Sequence, residues 1–235
     1  MKEQLPSTWR MYGRMVAWVL TVLYAVGLAG HIASDPLEQF MAFLTPGVIC
    51  LTGGLVILPS LATGGRRFAI WAAGTYAFTF LLEAAGVASG AVFGEYHYGT
   101  TLGWAWRGVP VVIAFNWLLV INGSICLARR VVPGLPVFLR QLVPALLTGL
   151  LAVLFDVILE PVAIRLGYWQ WLGGAVPGQN YLAWFIIAAA AAVFHPRLWQ
   201  PAPVAGCAGN LGWFYLVLQT GYFALLQLLW RLGAG

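Results

Sequence analysis

The chain has 235 residues, 61% of them hydrophobic and 8% charged, with a formal net charge of +5. Soluble domains carry about 25% charged residues, so this composition excludes a soluble fold and makes lipid part of the solvent. The positive balance is no sign of a nucleic-acid partner, because the arginines are scattered near the ends of apolar segments instead of forming a basic run with interleaved aromatics.

Taken in chain order, apolar stretches long enough to cross a bilayer fall near 12–31, 42–62, 68–88, 110–128, 139–160, 180–195 and 211–231. Each is expected to be helical, since lipid offers no other partner for backbone polar groups. The expected fold is all-α: a polytopic membrane bundle of about seven transmembrane helices, with 1–235 as a single integral-membrane domain. The first apolar run, from about Val16, lacks a small-residue cleavage site and reads as a retained span. Cys50, Cys126 and Cys207 have no paired spacing and read as isolated small apolar residues, without a disulfide framework or a metal clip.

Seven helices place the termini on opposite sides. One side then receives Lys2, Arg10, Arg14, Arg66, Arg67, Arg129, Arg130, Arg140 and Arg197, and the other only Arg107, Arg165 and Arg231. Basic residues accumulate on the cytoplasmic side of membrane proteins. The N-terminus is therefore expected in the cytoplasm and the C-terminus outside, in the inner (plasma) membrane.

The same topology gathers polar groups at one depth. Glu83, Asp156 and Glu160 fall toward the outer ends of the third and fifth helices, and Asn116 and Asn180 open the fourth and sixth from outside. Two long outer connections, 89–109 and 161–179, are rich in Gly, Tyr and Trp and read as functional lids without clear secondary structure. Asp156 and Glu160 are four residues apart and share a helix face. Two like charges this close in low dielectric do not both ionise easily, so one is expected to keep its proton and serve as an acid. Taken singly, each carboxyl is as well explained by pairing with Arg107, Arg165 or backbone. Gathered together, they favour function, because ionisable groups are costly in the membrane.

The aromatics have the same two readings. Tyr96, Tyr98, Trp117, Tyr168, Trp169 and Trp171, with His97, suit an interfacial belt. Beside a carboxyl cluster they also suit the wall of a polyene slot, where ring faces stabilise a cation. His31, His97 and His195 form no clustered box, which argues against a di-iron oxygenase. No GxGxxG follows a strand. The sole lysine, Lys2, lies outside every span, which excludes a Schiff-base retinal pigment.

The motifs "LLEAAGVASGAVFGEYHYG", "GVPVVIAFNW", "FDVILEPVAIRLGYWQW" and "PGQNYLAWF" together resemble the integral-membrane carotenoid hydratase family, which includes the gamma-carotene 1'-hydratases and the bisanhydrobacterioruberin hydratases. The resemblance is strong over about residues 70 to 190. It implies cofactor-independent addition of water to the terminal C1=C2 double bond of an acyclic carotenoid end, giving a tertiary alcohol. It implies a lipophilic carotenoid substrate, with membrane lipid and further carotenoid-pathway enzymes as partners. It assigns no roles to individual carboxyls. From the residues themselves, Glu83, Asp156, Glu160 and Glu95 are candidates for the acid, and Asn116 and Asn180 for orienting water or a carboxyl. The competing readings are a lycopene-type cyclase, whose cation is captured by an internal double bond, and a non-enzymatic carotenoid-binding or transport protein. Inverted repeats would favour transport, and no two matching halves stand out.

Overall fold

The computed structural model of the chain describes residues 7–33, 35–131, 136, 139–196 and 211–233. Lys2, Arg197 and Cys207 lie outside the described residues. Among those residues the chain forms six helices, the second broken in its middle: α1 (Ser7–His31), α2 (Asp35–Ser89), α3 (Val111–Val131), α4 (Leu139–Arg165), α5 (Gly178–Val193) and α6 (Leu211–Arg231). All but α5 are long and apolar enough to cross a membrane. Trp18, Phe43, Ile70, Leu150 and Leu182 are exposed, as side chains facing lipid should be. The protein is a multi-pass, all-α membrane bundle.

Helix α2 accounts for two of the seven expected spans. Its 55 residues run through a non-helical Gly65, with φ 59° and ψ −157°. Only glycine adopts that backbone region readily. Pro46 packs at Gly103 and Val87 at Gly108, both in the connection before α3. A straight helix would hold Pro46 and Val87 roughly 60 Å apart. The chain therefore doubles back at Gly65 into two limbs, 35–64 and 66–89. Helix α5, at 16 residues, spans about 24 Å, short of the ~30 Å hydrocarbon core.

Helix α3 is buried along most of its length and packs against α2, α4 and α6. Helices α4 and α5 approach closely at Gly149, where a Cβ would stand 2.7 Å from the Phe185 carbonyl oxygen. Small residues at such crossings let membrane helices pack backbone to backbone. Cys126 is disulfide-bonded while Cys50 is free and exposed. This corrects the expectation of three isolated cysteines, because linear spacing does not report which thiols the fold brings together.

The two lid connections are not structureless. The first holds β1 (Tyr96–Tyr98), β2 (Ala105–Trp106) and β3 (Val109–Pro110), and the second holds β4 (Trp169–Trp171). Strands β2 and β3 form a hairpin closed by Arg107 and Gly108, both at positive φ (52° and 79°), as a primed two-residue turn requires. Strand β1 pairs antiparallel with β4, matching Tyr96 with Trp171, His97 with Gln170 and Tyr98 with Trp169. Beyond the ladder, Gly99 donates its N–H to the Tyr168 carbonyl at 2.9 Å.

A Cβ at Gly99 would sit 2.1 Å from the Gly167 carbonyl oxygen, a backbone atom that cannot swing aside. Gly99→Ala is expected to push the two connections apart and to cost about 1–3 kcal/mol, as overpacking does. Thermal unfolding in detergent should show the loss. Gly173→Ala, at a position with open space around it, should leave the transition unchanged.

Candidate functional site: a buried carboxyl cluster beneath the paired connections

Strand side chains alternate between faces, and the β1–β4 ladder uses that alternation. Tyr96, Trp169 and Trp171 are buried and Tyr98 is half-buried, whereas His97 and Gln170 are exposed. The four aromatic side chains deliver polar hydrogens to carboxyls below them. The Tyr96 hydroxyl donates to Glu83 Oε2, and the Tyr98 hydroxyl donates to the same oxygen at 2.8 Å. The indole N–H groups of Trp169 and Trp171 donate to Glu160 Oε2 at 2.9 and 3.0 Å.

Helix α5 supplies the third polar element. Asn180, in its first turn, donates through Nδ2 to Asp156 Oδ2 at 2.6 Å and to Glu160 Oε1 at 3.4 Å. One amide thus bridges the two carboxyls that α4 places one turn apart. Glu83, Asp156, Glu160 and Asn180 are all at most 3% exposed. Their partners are neutral donors. Arg107 lies over the Trp106 ring at 5.0 Å and Arg165 over the Trp230 ring at 4.1 Å, so these arginines engage aromatic faces, not the carboxyl pairing weighed as the alternative.

Burial, reinforced by the charge of Glu83, pushes the Tyr96 and Tyr98 phenols up. Both remain protonated donors across any working pH. Burial also pushes the Tyr168 phenol up, to about 12.

Glu83, Asp156, Glu160 and Asn180 surround a small cavity with Tyr96, Tyr98, Ile113, Trp169 and Trp171. Its volume open to the centre of a water-sized sphere is about 20 Å³, room for about one water molecule. Aromatic rings close the remaining side. Trp117 stacks on Trp184 with centroids 3.4 Å apart and planes 16° apart, and Trp184 stacks on Phe93 at 5.1 Å.

A second cavity, of about 180 Å³ and mostly apolar, adjoins the first. Its walls come from α1, the first limb of α2, α3 and α6, and Ile113 and Trp169 line both spaces. Exposed Val26 and Leu44 stand at its lipid side.

The expected site residues divide accordingly. Glu83, Asp156, Glu160, Asn180, Tyr96, Tyr98, Trp117, Trp169 and Trp171 surround the small cavity. Tyr168 and Asn116 line the larger one, where Asn116 Oδ1 accepts from Gln219 Nε2 at 3.0 Å. Glu95 and His97 are exposed, and neither contributes to either wall. Three participants were not expected from the sequence: Phe93, Trp184 and Gln219. Trp184 follows Asn180 by four residues, so helical spacing carried the signal. Gln219 carried one as a lone amide inside an apolar span. Phe93 carried none in its connection.

No curated protein and no solved structure matches the chain. A family model described as "Carotenoid biosynthesis protein" matches residues 44–232. That range takes in α3 to α6, most of α2, both paired connections and every residue of the carboxyl cluster. The chain belongs to the carotenoid biosynthesis protein family, and its substrate is accordingly a lipophilic carotenoid.

Proposed function

We propose that the protein hydrates a terminal double bond of an acyclic carotenoid by acid catalysis. The observation that carries this reading is a water-sized cavity walled by three carboxyls on one side and stacked indoles on the other, next to an apolar slot. Hydration of an alkene needs those parts: an acid, a held water, a wall tolerant of a cation, and a place for the polyene.

The polyene enters the larger cavity from lipid between α1 and α2, and its end reaches the small cavity past Ile113 and Trp169. A carboxylic acid gives its proton to C2 of the C1=C2 bond, whose π electrons form the new C–H bond and leave a tertiary cation at C1. The ring faces of Trp117 and Trp184 shield that cation. The cavity water adds its lone pair to C1, and a neighbouring carboxylate takes the surplus proton. Water is consumed, no electrons are exchanged, and the acid is restored after the proton passes between carboxyls.

The hydrogen bonds divide the roles. Glu83 and Glu160 each accept two donors on one oxygen, which suits them to stand as carboxylates beside the acid. Asp156, which accepts from Asn180, is assigned as the acid. Three carboxyls crowded without a facing cation favour a shared proton. Asn180 holds Asp156 and Glu160 in register. Glu95 is left at the rim without a chemical step.

In a host making acyclic carotenoids, the wild-type chain is expected to yield pigments heavier by one water. An unchanged mass with a shifted absorption spectrum would instead indicate a cyclase. Asp156→Asn keeps the shape and removes the acid. Hydrated product should fall about 10²–10⁴-fold at equal membrane levels, and a near-normal yield would return Asp156 to a structural role. Because the reaction exchanges no electrons, activity in membranes should survive chelators and removal of oxygen.

The proposed topology puts the paired connections outside the inner membrane and the N-terminus in the cytoplasm. Arg66 and Arg67 follow the α2 turn at Gly65, and Arg129 and Arg130 in the last turn of α3 and Arg140 in the first turn of α4 lie with them at the opposite end from the connections, as the positive-inside tendency requires. In a chain whose free Cys50 is replaced by Ser, cysteines introduced at Thr100 and Gly173 are expected to react with an impermeant thiol reagent added from outside. Reaction only from the cytoplasmic face would invert the topology.

A further inference from the structure

The larger cavity is apolar except at a few points, and one of them is unsatisfied. Gln219 of α6 is 3% exposed and uses its Nε2 on Asn116 Oδ1, while its Oε1 has no hydrogen-bond partner. Both amides line the cavity. A buried acceptor without a partner bears the whole cost of losing water. Turning both amides over would leave a donor in place of the acceptor. A hydroxyl, which donates and accepts, satisfies either arrangement.

The pair is rigidly placed. Seven residues from each amide, Gly123 of α3 and Gly212 of α6 meet closely, where a Cβ at Gly123 would lie 2.6 Å from the Gly212 carbonyl oxygen. That crossing fixes the height of Asn116 against Gln219. At the other end of the same cavity, His31 Nδ1 also lacks a partner. The His31 carbonyl accepts from Trp230, which lies roughly 16 Å along α6 from Gln219. The cavity is therefore a slot of about that length with an open amide deep inside it.

We propose that the Asn116–Gln219 amide pair is a hydroxyl-binding subsite, taking a hydroxyl group of the lipophilic molecule held in the slot. Water alone fits the place less well. A buried water needs two to four polar partners, and most of the cavity wall is apolar, with Val48, Ile49, Val112 and Phe223 among its lining. A ligand hydroxyl is held there by its own apolar body and needs only the amide. The subsite selects among lipophilic molecules and is separate from the carboxyls that carry the proposed chemistry. It rests on that reading only in taking the slot as the substrate's berth.

The test measures equilibrium binding, read by quenching of tryptophan fluorescence in the purified Asp156→Asn protein, so that turnover does not intrude. The probes are an acyclic polyene hydrocarbon of carotenoid length and its singly hydroxylated analogue. The hydroxylated probe is expected to bind about tenfold tighter, the worth of one well-made hydrogen bond. Adding Gln219→Met should bring it to the affinity of the hydrocarbon, with hydrocarbon binding unchanged. Should Gln219→Met lower folded yield by stranding Asn116, Asn116→Leu with Gln219→Met restores an apolar wall and is expected to give the same loss of preference. Equal affinities for the two probes before any change at Gln219 would overturn the subsite. So would a preference for the hydroxylated probe that survives both Gln219→Met and Asn116→Leu with Gln219→Met. A chain that hydrates no carotenoid yet prefers the hydroxylated probe would refute the hydratase reading and leave the subsite standing.

Discussion

The pairing of Tyr96–Tyr98 with Trp169–Trp171 is the contact on which the functional architecture depends. Three buried carboxyls need partners, because an unpartnered charge in an apolar medium is too costly to keep. A salt bridge would meet the need and freeze the protons. This chain meets it with phenol and indole hydrogens delivered from above by a short antiparallel ladder. Side chains alternate with a period of two, so the register decides everything. A slip of one residue would aim His97 and Gln170 at the carboxyls and turn the four aromatics to the surface. The close contact of Gly99 with Gly167 and the bond from the Gly99 N–H to the Tyr168 carbonyl hold that register.

The two cavities explain how such polar chemistry coexists with a greasy substrate. A single layer of side chains, Ile113 and Trp169, separates the apolar slot from a space sized for a water molecule. Trp169 faces both ways, its ring lining the slot and its N–H bound to Glu160. Movement of that indole would open the partition and release one of the two donors on Glu160 Oε2 in the same step. In the proposed reaction, entry of the substrate and the proton affinity of the carboxyl would be coupled through one side chain.

Much of the fold was legible in the sequence, because lipid leaves so few alternatives. Hydropathy located every helical limb, and the boundaries moved only by turns: α2 starts at Asp35 and α4 runs on through Pro161 to Arg165. The site was legible in its carboxyls, since a membrane span tolerates acidic groups poorly and this chain puts Asp156 and Glu160 at helical spacing, with Glu83 in a facing span. The connections were harder. "YHY" and "WQW" are three residues each, too short to show a period against loop composition. Without the pairing, nothing distinguished inward Tyr96 from outward His97. Asn116 was visible as polar, yet its partner Gln219 lies 103 residues away on another helix, a distance that composition does not bridge.

Trp117 and Trp184 lie face to face at 3.4 Å, one on α3 and one on α5. Helix α5 packs chiefly on α4, so the stack with α3 forms only when the cluster is assembled. Two indoles at that separation share their electronic excitation, and their combined transitions split in the near ultraviolet. The protein thus carries its own optical gauge of the active geometry. A spreading of α5 away from α3 by an ångström or two would weaken the splitting while the helical signal of the bundle stayed the same, which makes local opening of the site visible apart from unfolding of the chain.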